Sequence, residues 1–503
     1  MLSRLFRQSG LYSLVGVIAK LSGFVLLVFY SDPEVLPKSD FGYLGQLDAA
    51  KMVALLFASA GLPLGIIQFA SSAALTEAER AAVPATALLL AGAAAVAVTS
   101  LGWAFATSLA AVLLDAPGRA EAVRWLAVYV GFKTVSDVSF TVLRQRERAG
   151  AFVLLGAAEM VLVVGGVVLF LVVLEQGLIG VMRGYALAAA VLAFIVTPLL
   201  LTRVERRVRW GLVRPMLLFG VPLIASGLAG RFLNIGDRFL VIHYLGPEAN
   251  AVYEWAARFG GVVNTFLVQS LTLAFTVLGL KALGTSGDPA LHRRTFRHFS
   301  ALAGWMVLGL GLFVSDVSRL LTDDPQYIEA DGLVVLIAGG FGFYGLYYVL
   351  VNVLYAAGRT QAVALAMGTA AVLNLVLNVL LIPRWGLAGA ASATLVAYAG
   401  LAIGTAWLAQ SSNRVTYAWP ALAAVCGLVA GLWWVAQVSD GWSLVPRLGV
   451  RVALAAVYLP ALVAVGVYRP REVREGVAVL RARLGEHGGL REHEDPEVGA
   501  GPR

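Results

Sequence analysis

Charge is scarce in this 503-residue chain: 14% of residues are Asp, Glu, Lys or Arg, against about 25% in an average soluble domain. With 59% hydrophobic residues and a mean hydropathy of +0.81, that scarcity excludes a soluble globular protein. It leaves an all-α polytopic membrane protein. Cysteine occurs once, as Cys426, so no intrachain disulfide can form. Of the five histidines, no two share metal-ligand spacing on an apolar helix, so no metal is expected. The chain has no Gly-Lys dipeptide and therefore no phosphate loop of the G-x-x-x-x-G-K type. H-E-x-x-H and G-x-S-x-G are also missing. No cofactor is expected. No cleavage site follows the first apolar run, which is expected to stay in the membrane.

Apolar runs dominate what is there. A bilayer needs about 20 apolar residues per helix, and about fourteen such spans can be marked. The first is 10–30 and the second 41–72. The seventh is 216–245, the eighth 249–280 and the fourteenth 448–468. The second and eighth are longer than a bilayer requires and are expected to tilt or project. The net charge of +8 points to membrane orientation and not to nucleic acid, because it sits in alternate short loops. Arg4, Arg7, Arg80, Arg144, Arg146, Arg148 and the run Arg203 to Arg214 fall on one side; Lys38, Arg119, Arg319, Arg384 and Arg447 fall on the other. The richer side is cytoplasmic, and an even span count puts both termini there.

The chain also repeats. Phe41-Gly42-Tyr43 matches Ala251-Val252-Tyr253, Arg148 matches Arg359, and Gly177-Leu178-Ile179-Gly180 matches Gly386-Leu387-Ala388-Gly389, all at one nearly constant offset. The unit is six spans, an even number, so both copies face the same way about an axis along the membrane normal. Residues 1–202 form one six-helix lobe, 203–215 a basic cytoplasmic linker, and 216–410 a second lobe. Two extra helices follow in 411–468. The tail, 469–503, is cytoplasmic and ends in disorder. Its part 472–487 is either an amphipathic helix on the inner leaflet or a solvated helix.

Intramembrane charge concentrates on spans one, two, seven and eight. The cations are Lys20, Lys51, Arg231, Arg238 and Arg258; the acids are Asp48, Asp237 and Glu254. An Arg at mid-bilayer costs roughly 2.5–3.5 kcal/mol on insertion scales. Such a set either lines a wet, net-positive cavity or locks helices together as buried ion pairs. Glu254 and Arg258 are spaced i, i+4, Asp48 and Lys51 i, i+3, and Lys133 and Asp137 i, i+4, each suited to an ion pair on one helix. Arg231 and Lys20 have no acidic residue within a turn. Glu159 stands alone in its span, either as a proton relay or as a neutral, hydrogen-bonded group. Asp48, Glu159, Asp237 and Glu254 are the candidates for ion or proton coupling. Asn374 and Asn378 suit helix-to-helix bonding. The planar fork of Arg suits a diphosphate.

These stretches resemble a family. FYSDPEVLPKSDFGYLGQLDAA is similar to the first external loop and second helix of the polysaccharide-export flippases. FGVPLIASGLAGRFLNIGDRFLVIHYLGPEANAVYEWAARF is similar to their seventh and eighth helices. LYAAGRTQAVALAMGTAAVLNLVLNVLLIPRWGLAGAASATLVAY is similar to their tenth-to-twelfth region. The resemblance implies the V-shaped fold of the multidrug/oligosaccharidyl-lipid/polysaccharide (MOP) superfamily, with alternating access. Its substrate would be an undecaprenyl-diphosphate-linked oligosaccharide, moved across the cytoplasmic membrane for surface polysaccharide synthesis. Partners would be that lipid-linked saccharide, membrane lipids, and glycosyltransferases or a polymerase of the same pathway. A cation-coupled multidrug antiporter of the same superfamily is the alternative. An integral membrane glycosyltransferase or polymerase is a third reading, opposed by the short loops; its one candidate loop is 321–331, with Asp323 and Asp324.

The topology is open to a direct check. Reporter fusions after Asp40, Arg207, Asp324 and Arg474 should read out, in, out and in; any other order breaks the six-span repeat.

Overall fold

In a bilayer core no water satisfies backbone N–H and C=O groups, so an apolar chain must satisfy them within itself, as helix. A computed structural model describes residues 22–146, 148–201, 207–283, 290–411, 415–472 and 474, and among them there is no β-strand. Lys20, residues 203–206 of the linker and nearly all of the tail helix lie outside the described residues. The chain runs through α1 (22–30), α2 (Lys38–Ser59), α3 (Leu62–Ala70), α4 (Glu77–Ala104), α5 (Ala106–Leu114), α6 (Ala120–Gln145), α7 (Ala149–Val168) and α8 (Gly177–Leu201). It continues through α9 (Trp210–Leu245), α10 (Pro247–Val262), α11 (Gln269–Ala282), α12 (Ala290–Leu321), α13 (Pro325–Ile328), α14 (Asp331–Ala356), α15 (Thr360–Gln410), α16 (Trp419–Ala436) and α17 (Leu444–Ala464).

Ten helical segments among the described residues are long and apolar enough to cross a membrane. One of them, α15, has 51 residues and bends at Gly386 (φ 56°, ψ −136°), where the eleventh expected span gives way to the twelfth. The helices α9 and α10, which carry Asp237, Arg238, Glu254 and Arg258, are not among the ten. Large apolar side chains face outward, including Leu320, Val112 and Trp407, at 84%, 80% and 75% exposure. Such a surface needs lipid around it.

The two overlong spans are broken. Ala60 and Gly61, both at positive φ, split the second into α2 and α3. A π-helical turn, Val263–Val268, divides the eighth into α10 and α11. Where the sequence repeats, the backbone repeats too. Gly177 and Gly386 share φ 56°. Arg148 (φ −84°, ψ 61°) and Arg359 (φ −86°, ψ 56°) both precede a helix, and each amide bonds the carbonyl five residues back, Leu143 and Leu354.

The last helix, α17, is tied to α12 by charge. Asp316 accepts from Arg451 and lies 2.6 Å from Arg447 Nη2; Arg451, 2% exposed, also meets Asp440 at 2.5 Å. The acidic loop is structural as well: Asp324 caps α13 through the Gln326 amide and bonds Lys38 at 2.6 Å. Removing one partner of a buried ion pair costs about 3–5 kcal/mol. Asp316→Ala, which leaves Arg447 without its carboxylate and Arg451 with Asp440 alone, should destabilise the protein by about that much in thermal unfolding of the purified protein. An unchanged Tm would show that the Asp316 pairs are not what holds α17 to α12.

Candidate binding cavity

The helices α2 and α10 occupy matching places in the two repeats, and they meet. Asn250 donates to the Gly42 carbonyl at 2.8 Å, and a Cβ on Gly42 would stand 1.7 Å from the Pro247 oxygen. A β-carbon cannot fit there, so glycine is required. A second close approach lies at the other end of α2: a Cβ on Gly61 would be 2.6 Å from Gly220 Cα, and one on Gly220 would be 1.8 Å from the Ala60 oxygen. Phe69 packs edge-on against Phe219 beside it, with ring centroids 5.9 Å apart.

Between these contacts lies a cavity of about 600 Å³, lined from α1, α2, α6, α7, α8, α9, α10 and the π turn. A chain of alternating charges crosses it. Asp237 meets Arg238 at 3.1 Å, and Arg238 Nε meets Glu254 at 2.9 Å. Glu254 lies 3.4 Å from Arg258 Nε, within ion-pair range but outside hydrogen-bond alignment. Arg258 reaches Asp48 at 3.5 Å, and Asp48 bonds Lys51 at 2.5 Å. The chain thus runs from α9 through α10 to α2. Arg258 also donates to the Gly23 carbonyl at 3.3 Å and lies over the Tyr30 ring. Lys51 lies over Tyr185, 4.7 Å from its centroid. At the near wall, Lys133 joins Asp137 at 2.9 Å and Glu159 at 2.5 Å.

The far end of the chain opens into a polar network. Asp237 accepts from the Tyr253 hydroxyl, and from Thr394 at 3.3 Å. Asn374 donates to Thr394 at 3.5 Å across the bend of α15, while Asn378 donates to Asn374 within one helical segment, so only Asn374 joins segments directly. Tyr398 donates to Asn234 at 2.6 Å. The stripe Tyr344, Tyr347 and Tyr348 packs as core with Tyr398.

The structure brings together Lys51, Arg238, Arg258, Asp48, Glu159 and Glu254 in the lining, with Asp237 at the edge. Arg231 is exposed, lies outside that lining, and makes no ion pair among the described residues. Glu159 is not alone: Lys133 on the neighbouring α6 neutralises it. The described lining carries a small formal charge, with Lys20 outside the described residues and Arg231 outside the lining. Four cations (Lys51, Lys133, Arg238, Arg258) face three lining carboxylates (Asp48, Glu159, Glu254), a formal +1. The paired Asp137 and Asp237 turn the balance to −1. Burial enforces this, because an unpaired charge there costs several kcal/mol. Sequence spacing found the three same-helix pairs. It missed Arg238–Glu254, Arg258–Asp48 and Lys133–Glu159, which join different helices. No group of three or more His, Cys, Asp or Glu among the described residues is placed to hold a metal.

Glu254 is the middle of the chain and its side chain is 9% exposed. Glu254→Gln should destabilise the protein by about 3–5 kcal/mol, because it leaves Arg238 and Arg258 short of a counter-charge. Arg231→Gln should change stability by less than about 0.5 kcal/mol. Equal effects in thermal unfolding would mean the chain is not continuous in the membrane.

No curated protein matches the chain by sequence. In fold it is similar to the structure titled "Lipid II flippase MurJ, inward closed conformation" (TM-score 0.73, 12% identity, covering 90% of this chain and 99% of that one). It is also similar to an inward-facing multidrug resistance MATE family transporter of the MOP superfamily (TM-score 0.64, 15% identity, covering 82% and 96%). A third is the MATE multidrug transporter DinF-BH (TM-score 0.58, 16% identity, covering 82% and 96%). At these identities the likeness is one of fold. The profile of a family described as "Polysaccharide biosynthesis protein" matches residues 5–276, more than half of the sequence. The chain therefore belongs to the polysaccharide biosynthesis protein family, and it has the fold of the MOP-superfamily transporters.

Proposed function

We propose that this protein is a flippase. It moves an undecaprenyl-diphosphate-linked oligosaccharide across the cytoplasmic membrane by alternating access, with about fourteen spans and both termini cytoplasmic. The observation that carries this reading is the buried charge chain in a cavity held between two glycine contacts. The family, and the fold shared with a lipid II flippase, agree with it. The two lobes are 1–202 and 216–410, and the repeated backbone at Gly177/Gly386 and Arg148/Arg359 supports that division.

In this reading the diphosphate enters between the lobes and takes over hydrogen bonds from Arg258, Arg238 and Lys51. Each of those cations already has a carboxylate partner. The diphosphate must therefore displace Asp48 or Glu254. A carboxylate stripped of its cation inside the protein takes up a proton or another cation. Binding and coupling are then one event, and Asp48, Glu159, Asp237 and Glu254 remain the coupling groups. Pathway glycosyltransferases or a polymerase would supply and consume the substrate. A cation-coupled drug antiporter is the second reading. It is favoured by one observation: the near-neutral charge of the described cavity, which does not repel a cationic drug.

Transport of lipid-linked saccharide into vesicles, measured beside the thermal stability of the inserted protein, tests the proposal. Arg231→Gln and Lys20→Gln remove the cations without same-helix partners. Lys20→Gln should weaken substrate binding about 10- to 150-fold, the equivalent of ~1.5–3 kcal/mol for a charge-assisted hydrogen bond, with stability unchanged; Arg231 lies outside the lining, and Arg231→Gln should change binding little. Arg258→Gln should lose both binding and stability. Normal saccharide transport in all three variants would overturn the flippase reading. Uptake of a cationic dye in its place would establish the second.

A further inference from the structure

The acidic loop 321–331, which carries α13, joins α12 to α14 within the second repeat and reaches across to the first. Ser31 donates to the Leu321 carbonyl at 3.3 Å, and Thr322 donates to the Ser31 carbonyl at 3.4 Å. Lys38, at the start of α2, donates to Asp324 at 2.6 Å and to Gln326 at 2.5 Å. Its ammonium also lies over the Tyr327 ring, 4.8 Å from the centroid. Tyr327 is 2% exposed and packs between Phe41 of α2 and Trp255 of α10, with ring centroids 6.2 and 4.9 Å away. In the matching loop of the first repeat, Arg119 meets Asp40 at 2.6 Å and lies over Tyr43. The Lys38 pair therefore crosses between the repeats, and the Arg119 pair stays within one. By the charge asymmetry of the loops, this is the outer side.

We propose that α13 is the latch of the outer gate, and that Lys38 and Tyr327 must be released from their partners together before the cavity opens outward. This rests on the alternating-access reading above. The two grips differ in kind. The Lys38 and Asp324 side chains are each 18% exposed, so water can take over their pair, and the pair sets how readily the latch lets go. The Tyr327 ring is buried, so releasing it exposes apolar surface, which drives the latch shut again. Asp324 also caps α13 through the Gln326 amide, a bond that does not involve Lys38, so the short helix keeps its form when Lys38 leaves. Closure then needs no ligand: the outer side opens while something holds it open and recloses when that is gone.

The test reads the gate without substrate, so its failure is distinct from a failure of saccharide transport. Spin labels are placed at Glu34→Cys and Glu329→Cys, both exposed and on opposite sides of the latch, in the full-length protein with its one cysteine removed as Cys426→Ser. Pulsed dipolar spectroscopy in phosphatidylglycerol–phosphatidylcholine vesicles gives the distance between them. With the latch unaltered, a short distance should dominate a longer one. Lys38→Gln should raise the ratio of long to short about fivefold, the equivalent of ~1 kcal/mol for a part-exposed ion pair. Lys38→Arg should restore the original ratio. Adding Tyr327→Ala to Lys38→Gln should raise the ratio further. Arg119→Gln, which breaks an ion pair on the same side but within one repeat, should leave it unchanged. An unchanged ratio in Lys38→Gln would overturn the proposal; that part-exposed single variant covers the case in which the double variant does not fold. So would an Arg119→Gln effect equal to that of Lys38→Gln, which marks a general loosening of the outer side. A long distance that already dominates with the latch unaltered would overturn it too.

Discussion

The structure depends on the need to keep every buried charge partnered. A lone cation or carboxylate in the middle of a helical bundle costs more than the fold can spare. Six side chains, Asp237, Arg238, Glu254, Arg258, Asp48 and Lys51, meet that need in series. Because they alternate in sign, no interior member can leave without taking a counter-charge from two neighbours. The series begins on α9 and ends on α2, so it joins helices from the two sequence repeats. A purely apolar interface would hold them together as well, but an apolar interface has no reason to open for a charged headgroup. The ionic one has, because an anion can replace a carboxylate.

Two glycine contacts frame this series along α2. Gly42 lets the backbone of α10 approach at Pro247, and Gly61 does the same for α9 at Gly220. In each, one backbone touches another with no side chain between, the close approach that small residues permit between membrane helices. The distances forbid even a methyl group. Between the two contacts the helices separate, and the cavity lies in that separation. Ala60 and Gly61, at φ 43° and 69°, also break the helix there, so α3 is joined to α2 through a turn and not through a continuous rod. That break lies next to the contact, where a change in helix direction would move Gly61 away from Gly220.

Much of this was legible in the sequence, because the bilayer allows few alternatives. Low charge and long apolar runs read as membrane helices, and Arg148/Arg359 and Gly177/Gly386 marked positions where the backbone does repeat. Same-helix pairs were legible too, since i, i+3 and i, i+4 spacing is a property of one helix. What spacing cannot express is contact between helices. Glu159 looked solitary because its partner, Lys133, is on another helix. The breaks at Gly61 and at the π turn 263–268 were hidden for a different reason. Both lie inside continuous apolar runs, and only packing against a neighbour sets where such a run departs from α-helix.

The near-neutral cavity narrows what a substrate can do there. Long-range attraction supplies little, so recognition must come from local exchange of partners. For a diphosphate, the exchange is favourable only if its oxygens replace the carboxylate oxygens at similar distances, as a planar guanidinium permits. Arg238 and Arg258 both have that shape; Lys51, lying over Tyr185, offers a point charge. The two arginines flank Glu254, so one displaced carboxylate frees donors on both sides. A drug cation would do the reverse, taking Glu254 or Asp48 and leaving Arg258, and with Glu254 also Arg238, one counter-charge short. Guanidinium stays charged at any physiological pH, so an arginine short of a counter-charge in the interior cannot shed its own. The asymmetry of that cost favours an anionic ligand over a cationic one, even where the summed charge does not.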